Sequence, residues 1–282
     1  MKKTPVALIT GASEGLGKHL ALECARRHMN LVLVALPDSH LQSLARYISY
    51  NYGVHVWAFE KDLCAEASCA ELYEAVKAEG ITISILINNA GMGGTFFFGQ
   101  RSTEYYNTLI RLNVVAATLL TRLFLDDLKA EAPSFILNVS SLAGILHPPK
   151  KGVYGGTKAF LLAFSKSLRR ELKEDKISVS VLCPGSMNTT WQLMLQNRIM
   201  DSWIARQSVL YPCVVARMAI AKMLAGKGVI VPGRWNRCFL VWNSFFPNRI
   251  KDLLSAYVMR KASPVVPGTA AIEPVRQTAA VA

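Results

Sequence analysis

Charge is in short supply in this sequence. Asp, Glu, Lys and Arg make up only 18% of its 282 residues, while 51% are hydrophobic. A globular domain carries roughly 25% charged residues. Disorder requires low hydrophobicity with high net charge, so it is excluded over most of the length. Acids are scarcest in the last third. Residues 1–190 hold 20 basic and 16 acidic residues and residues 191–282 hold 12 and 3, which together make the net charge of +13. This basic excess is dilute and belongs to no nucleic-acid-binding module, so no nucleic-acid partner is expected.

Long apolar runs are also missing. No stretch reaches the ~18 to 20 apolar residues of a membrane-spanning helix. The best candidate, Cys238–Asn248, is eleven uncharged residues interrupted by Asn243, Ser244 and Pro247, suited to lying on a bilayer rather than crossing it. The opening MKKTPVALITG has two lysines but lacks the apolar core and small-residue cleavage site of a secretory leader. A cytoplasmic protein is therefore expected. The six cysteines form no CxxC pair and no His/Cys cluster with zinc spacing, so no metal is expected and the thiols read as buried and reduced.

What is present is an alternation. Pro5–Thr10, Leu31–Ala35, Val54–Phe59, Ile83–Asn88, Phe135–Ser140 and Ile177–Leu182 are short β-branched runs, several almost continuously apolar. Such runs suit parallel strands covered on both faces. Helical stretches lie near 15–29, 39–50, 65–79, 102–129 and 153–174. A further helix at about 212–225 leads to a seventh strand, Val229–Val231. The pattern predicts an α/β fold, a single-domain doubly wound parallel sheet of about seven strands with a C-terminal helical extension. Expected boundaries are 1–233 for the domain, with a lid at about 186–210, then 234–261 for the extension and 262–282 for a disordered tail.

Three motifs follow predicted strands. Thr10-Gly11-Ala12-Ser13-Glu14-Gly15-Leu16-Gly17 joins the first strand to the first helix. Its glycines allow a tight turn and close approach of backbone to a diphosphate, and the helix N-terminus offers N–H groups to the anion. Asp62 follows the third strand, where a carboxylate can accept from an adenine amino group. Asn88-Asn89-Ala90-Gly91 ends the fourth. Ligands of such sheets bind beyond the carboxyl ends of the strands, which is where all three fall.

Tyr154 and Lys158 stand four residues apart, on one face of a helix. A phenol ordinarily titrates near ~10, and a neighbouring ammonium favours the phenolate, so a proton can move near neutral pH. Ser141 lies thirteen residues before Tyr154 and can hold a substrate oxygen; Ser140 is the neighbouring alternative, which that spacing disfavours.

Together these motifs resemble the short-chain dehydrogenase/reductase family over roughly residues 4–232, in particular the branch with lipid-active members that reduce 3-oxoacyl groups or steroid ketones. The resemblance implies a Rossmann-fold oxidoreductase that uses NAD or NADP to interconvert a secondary alcohol and a ketone. It implies a catalytic set in which Tyr154 is acid/base, Lys158 tunes it and contacts ribose, Ser141 orients, and Asn113 anchors a water-linked proton relay. It also assigns the dinucleotide to Gly11, Ser13, Gly15, Leu16, Gly17, Asp38, Asp62, Leu63, Asn89, Ala90, Gly91, Tyr154 and Lys158, with Pro184, Gly185 and Thr189 of a PG…T segment. Homodimers or homotetramers built on the long helices are implied as well.

Nucleotide choice rests on Ala35-Leu36-Pro37-Asp38, which supplies neither a carboxylate nor a cation at the usual position. Asp38 either reaches the ribose or caps the next helix. Glu14 stands where a 2′-phosphate would meet a negative charge, and the balance favours NAD. The lid contributes Trp191, Met194, Met200 and Trp203, which either line a pocket for a lipophilic substrate or pack on the domain. His147, before Tyr154, is expected at the surface. In the extension, Trp235, Phe239, Trp242 and Phe246 make an aromatic stripe flanked by arginines. It fits peripheral contact with an anionic membrane face, or docking onto the domain or a partner subunit. The competing reading of the whole chain is a non-catalytic nucleotide-binding or scaffold protein on the same fold.

Overall fold

A computed structural model of the chain describes residues 4–187 and 210–245. Seven strands form one parallel sheet: β1 (Val6–Thr10), β2 (Asn30–Ala35), β3 (Val56–Glu60), β4 (Ile85–Asn88), β5 (Ser134–Val139), β6 (Ile177–Leu182) and β7 (Val229–Ile230). Their order is β3-β2-β1-β4-β5-β6-β7. The strand order reverses between β1 and β4, and such a switch point opens a crevice at the carboxyl edge. The expected doubly wound fold is what the chain adopts.

Side chains alternate across each strand and feed two separate cores. Ala7, Ile9, Leu31 and Leu33 face one layer, where α1 (Gly15–Ala25), α2 (Leu41–Tyr52) and α9 (Pro212–Leu224) contribute Leu20, Ile48 and Ile220. Val6, Leu8, Val32 and Val34 face the other, with Leu72 of α3 (Ser68–Ala78) and Phe124. Both faces of the central strands are thus buried, which explains their unbroken apolar runs.

The single long helix expected over 102–129 is divided. It runs as α4 (Thr103–Ile110), a π-helical turn (Arg111–Ala116), α5 (Ala117–Leu123) and α6 (Leu125–Ala130). The π turn contains Asn113, whose amide is turned inward to partners on other elements, and a side chain so held accompanies local widening of a helix. The short α7 (Ala143–Leu146) follows β5, and α8 (Gly152–Glu171) leads to β6.

A polar chain crosses the second layer. Asn88 and Asn138 are paired in register on β4 and β5. Asn88 Nδ2 donates to Asn138 Oδ1 (2.8 Å) and Thr121 Oγ1 (3.0 Å), and Asn138 Nδ2 donates to Ser165 Oγ on α8 (2.9 Å). All four residues are buried.

The last described helix is α10 (Arg234–Phe245). The compact unit that contains the sheet runs through Asn243, so the first ten residues of the expected extension belong to it; Ser244–Ala282 forms a second unit. Residues 188–209 of the lid expected at about 186–210, the stripe beyond Phe245 and the tail lie outside the described residues. Cys24, Cys69 and Cys183 are buried as expected, but Cys64 is half-buried and Cys213 and Cys238, on α9 and α10, are exposed. Among the described residues no helix is long and apolar enough to cross a membrane, and no group of acids, histidines and cysteines could hold a metal ion.

Candidate active site

The turn after β1 is shaped by close backbone approach. Gly11 adopts φ +63°, a conformation that favours glycine. A Cβ on Gly17 would collide with the Gly11 carbonyl oxygen, and one on Gly11 would lie 2.9 Å from Ala90 Cα. The β4 loop is laced to this turn. Thr10 Oγ1 accepts from the N–H groups of Asn89 (3.0 Å) and Ala90 (2.9 Å), while Asn89 Nδ2 donates to the carbonyls of Thr10 (2.9 Å) and Gly11 (3.1 Å). Helix α1 begins at Gly15 with an extended Glu14 at its N-cap that makes no capping bond, and its first turn holds no acid. Uncapped N–H groups and the positive end of the helix dipole suit a diphosphate. Ser13 and Leu16 lie on the same turn, the first half-buried and the second buried.

Around this turn, Asp62 is exposed and its Oδ1 accepts from Cys64 N (2.9 Å), with Leu63 buried beside it. Asp38 is exposed with φ +58°. It does not cap α2: His40 occupies that N-cap, also left-handed and without a side-chain bond. Ser39 Oγ is buried there with no partner. Pro184 is buried and its carbonyl accepts from Leu142 N (2.9 Å). Gly185 packs against Asn236, and Thr189 lies outside the described residues.

The tyrosine, serine and lysine converge at the carboxyl end of β5. The Tyr154 phenol is pushed up from its ordinary pKa by burial, and a side-chain hydrogen bond with Ser141 opposes that rise. Ser141 Oγ also accepts from Ala143 N (3.1 Å). Ser140 is buried and its hydroxyl donates to the Lys158 carbonyl (2.6 Å), so it faces the helix rather than the tyrosine. Lys158 is buried on α8, and burial lowers its ammonium to about 8. Its Nζ donates to Val139 O (2.9 Å) and lies 5.9 Å from the Tyr154 ring centre. A Cβ on Gly91 would come within 3.2 Å of that Nζ. The Asn113 side chain makes three hydrogen bonds: Oδ1 accepts from Met92 N (2.9 Å), and Nδ2 donates to Met92 O (2.9 Å) and Thr157 Oγ1 (3.0 Å). It ties the π turn to the β4 loop and to α8. His147 is exposed, as expected.

Three residues were not anticipated. Gly93 lets the Tyr154 ring lie against its backbone, since a Cβ there would be 2.6 Å from Cε2; the glycines following Asn88-Asn89-Ala90-Gly91 are the signal for it. Lys151, three residues before Tyr154, has its Nζ 5.4 Å from the ring centre. Asn236, 4% exposed, donates to Pro232 O (3.0 Å) and packs on Gly185 and Gly233. Nothing local in the sequence marks its contact with Gly185, which comes from a distant loop.

The family model described as short chain dehydrogenase matches residues 5–198, more than half of the chain. The chain belongs to the short-chain dehydrogenase family. Over 198 residues this short-chain dehydrogenase is 35% identical to the 17-beta-hydroxysteroid dehydrogenase type 3 of Mus musculus, covering 68% of this chain and 63% of that protein. It is 32% identical over 184 residues to the very-long-chain 3-oxoacyl-CoA reductase-A of Danio rerio, covering 63% of this chain and 56% of that protein. The match thus spans about three fifths of the length of these curated relatives. A short-chain dehydrogenase from Sphingobium yanoikuyae, solved in complex with NADPH, superposes with a TM-score of 0.72 at 29% identity, over 95% of this chain and 99% of that chain. The glycine cradle and uncapped α1 of this family member fit a nicotinamide dinucleotide.

Proposed function

We propose that this chain is an NAD(P)-dependent oxidoreductase that interconverts a secondary alcohol and a ketone on a lipophilic substrate. The observation that carries the reading is the buried Lys158 ammonium 5.9 Å from the Tyr154 ring centre, with Ser141 near enough to oppose the rise of that phenol, on the same sheet edge as the Gly11–Gly17 cradle. When bound, the nicotinamide supplies or accepts the hydride at the carbinol carbon. Tyr154 gives its proton to the carbonyl oxygen in reduction and takes the hydroxyl proton in oxidation, while Ser141 fixes that oxygen. The Lys158 ammonium stabilises the phenolate form. The turn at Gly11, Ser13, Gly15, Leu16 and Gly17 would hold the diphosphate. Asp62, Leu63, Asn89, Ala90 and Gly91 would border the adenosine and ribose; Pro184, Gly185 and Thr189 would border the nicotinamide. Asn113 ties the β4 loop to α8 through Met92 and Thr157 and would anchor the water-linked proton relay.

The lipophilic class draws support from the relatives, named for a hydroxysteroid and for very-long-chain 3-oxoacyl-CoA. NAD is favoured as nucleotide because Glu14 and Asp38 are exposed carboxylates and no cation follows β2. The NADPH in the Sphingobium yanoikuyae protein argues the other way, so titration with both nucleotides decides the point. Exposed Ile110, Val115 and Leu119 on the α4–α5 side and Phe160 on α8 support a homodimer or homotetramer through those helices. Exposed Arg234 and Arg237 on α10 support peripheral contact of 234–261 with an anionic membrane face. Loss of residues 234–282 should then abolish co-sedimentation with phosphatidylserine vesicles, and full-length protein that never co-sediments removes that contact.

The deciding experiment for the chemistry is Tyr154→Phe, assayed on a panel of steroid and 3-oxoacyl ketones. Turnover should fall by about 10²- to 10⁴-fold while nucleotide affinity is unchanged; retained turnover removes the assigned mechanism.

A further inference from the structure

Lys158 is not the only cation beside the tyrosine. Lys151 Nζ lies 5.4 Å from the Tyr154 ring centre, within the range of a cation–π contact and closer than Lys158 Nζ at 5.9 Å. Its side chain is half-buried, and among the described residues no carboxylate or hydrogen-bond acceptor meets its ammonium. The loop that delivers it is tightly held. Lys150 adopts φ +63°, its carbonyl accepts from Phe96 N (2.8 Å), and its Nζ sits 4.5 Å from the Phe97 ring centre. The Lys151 carbonyl then accepts from Gly155 N (2.6 Å), closing the first turn of α8. A non-glycine residue kept in the left-handed region by surrounding contacts is a device that recurs at functional sites.

We propose that Lys151 is a second cation of the Tyr154 site, a positioning residue that acts through the phenol to favour its ionised form. This rests on the reading of Tyr154 as the proton-carrying group. Against the neutral phenol Lys151 gains only a weak contact with the ring, whereas against the phenolate it gains a charge–charge attraction. The interaction is therefore differential between the two protonation states, which is what moves a titration. Burial lowers the ordinary pKa of Lys151 itself, consistent with a cation that lacks a counter-charge until the phenol ionises.

Among the described residues, the other groups that face this tyrosine are few. Lys158 comes from its own helix and the Ser141 hydroxyl from the β5 end. The neutral backbone of Gly93 comes from the β4 loop. Behind Lys158 stands the Cys183 thiol, held neutral by burial that raises it to about 11. Lys150 is turned to Phe97. No described acid competes for Lys151.

The test is a pH titration of tyrosinate absorbance in the full chain without nucleotide, with Tyr154→Phe as the blank that isolates one phenol among nine. Lys151→Met should move the Tyr154 midpoint upward by about half to one pH unit, and Lys151→Arg should restore it. Lys151→Gln takes the place of Lys151→Met if the latter does not fold. Equal midpoints in wild type and the neutral variants overturn the proposal, as does a Lys151→Arg midpoint that matches Lys151→Met. Turnover by Tyr154→Phe would sink the catalytic reading while leaving this titration interpretable. An unshifted titration in an enzyme that needs Tyr154 would sink only the role of Lys151.

Discussion

Lys158 donates from its buried ammonium to the backbone carbonyl of Val139, the last residue of β5 and two residues before Ser141. The lysine is thereby fixed to the sheet as well as to its helix, and its charge is kept where few solvent dipoles reach it.

That burial has a thermodynamic signature. The folded-state pKa of Lys158 is lowered to about 8 from an ordinary 10.5. Between those values the unfolded chain binds the proton and the folded chain does not, so stability rises with pH across that window. Relative to Lys158→Met, the wild type should gain on the order of 2–3 kcal/mol between about pH 8 and pH 10.5. Denaturant midpoints measured for both proteins at the two ends check this; a constant difference would contradict it.

Gly93→Ala places a methyl group 2.6 Å from Tyr154 Cε2 and must displace the ring. Turnover should fall about tenfold or more with nucleotide affinity nearly unchanged, since a small displacement of a reacting group is costly. Steady-state kinetics beside a nucleotide titration separate the two.

Gly17→Ala acts on the other half of the site. Its Cβ collides with the Gly11 carbonyl and approaches Asn89 Nδ2, both rigid parts of the laced turn. Loss of nucleotide affinity should accompany a destabilisation of about 1–3 kcal/mol, read from calorimetric binding and thermal unfolding.

Asn236→Leu removes the donor to Pro232 O and crowds Gly185. A drop of about 1–3 kcal/mol in stability is expected from the stranded carbonyl and the overpacked contact. Because Gly185 lies on the loop assigned to the nicotinamide, nucleotide affinity should weaken in parallel.

The fold was largely legible in the sequence because parallel strands covered on both faces must be mostly apolar, and Val6–Thr10 and Asn30–Ala35 are apolar but for Thr10 and Asn30. Gly11, Asn89, Ser141, Tyr154 and Lys158 were legible by spacing, and the structure brings them to one edge. What escaped depends on tertiary partners. The helix over 102–129 has an unbroken pattern, and only the inward bonds of Asn113 explain its π turn. Lys151 precedes Tyr154 by three residues, but its place against the ring depends on the loop that delivers it, and Asn236 acquires its role from the distant Gly185. Asp38 has the composition of a cap, yet the backbone places His40 there.

The Asn88–Asn138–Ser165 chain has a consequence for how such a molecule can vary. Apolar contacts tolerate a helix sliding by a fraction of a turn, but an amide that slides loses its partner outright. Helix α8 is therefore indexed against β5 like a key in a slot, and with it the height of the phenol above the sheet. Loops that rim the edge can be exchanged for others of different shape without disturbing that index, so what is bound can change while the proton-transfer geometry stays in place.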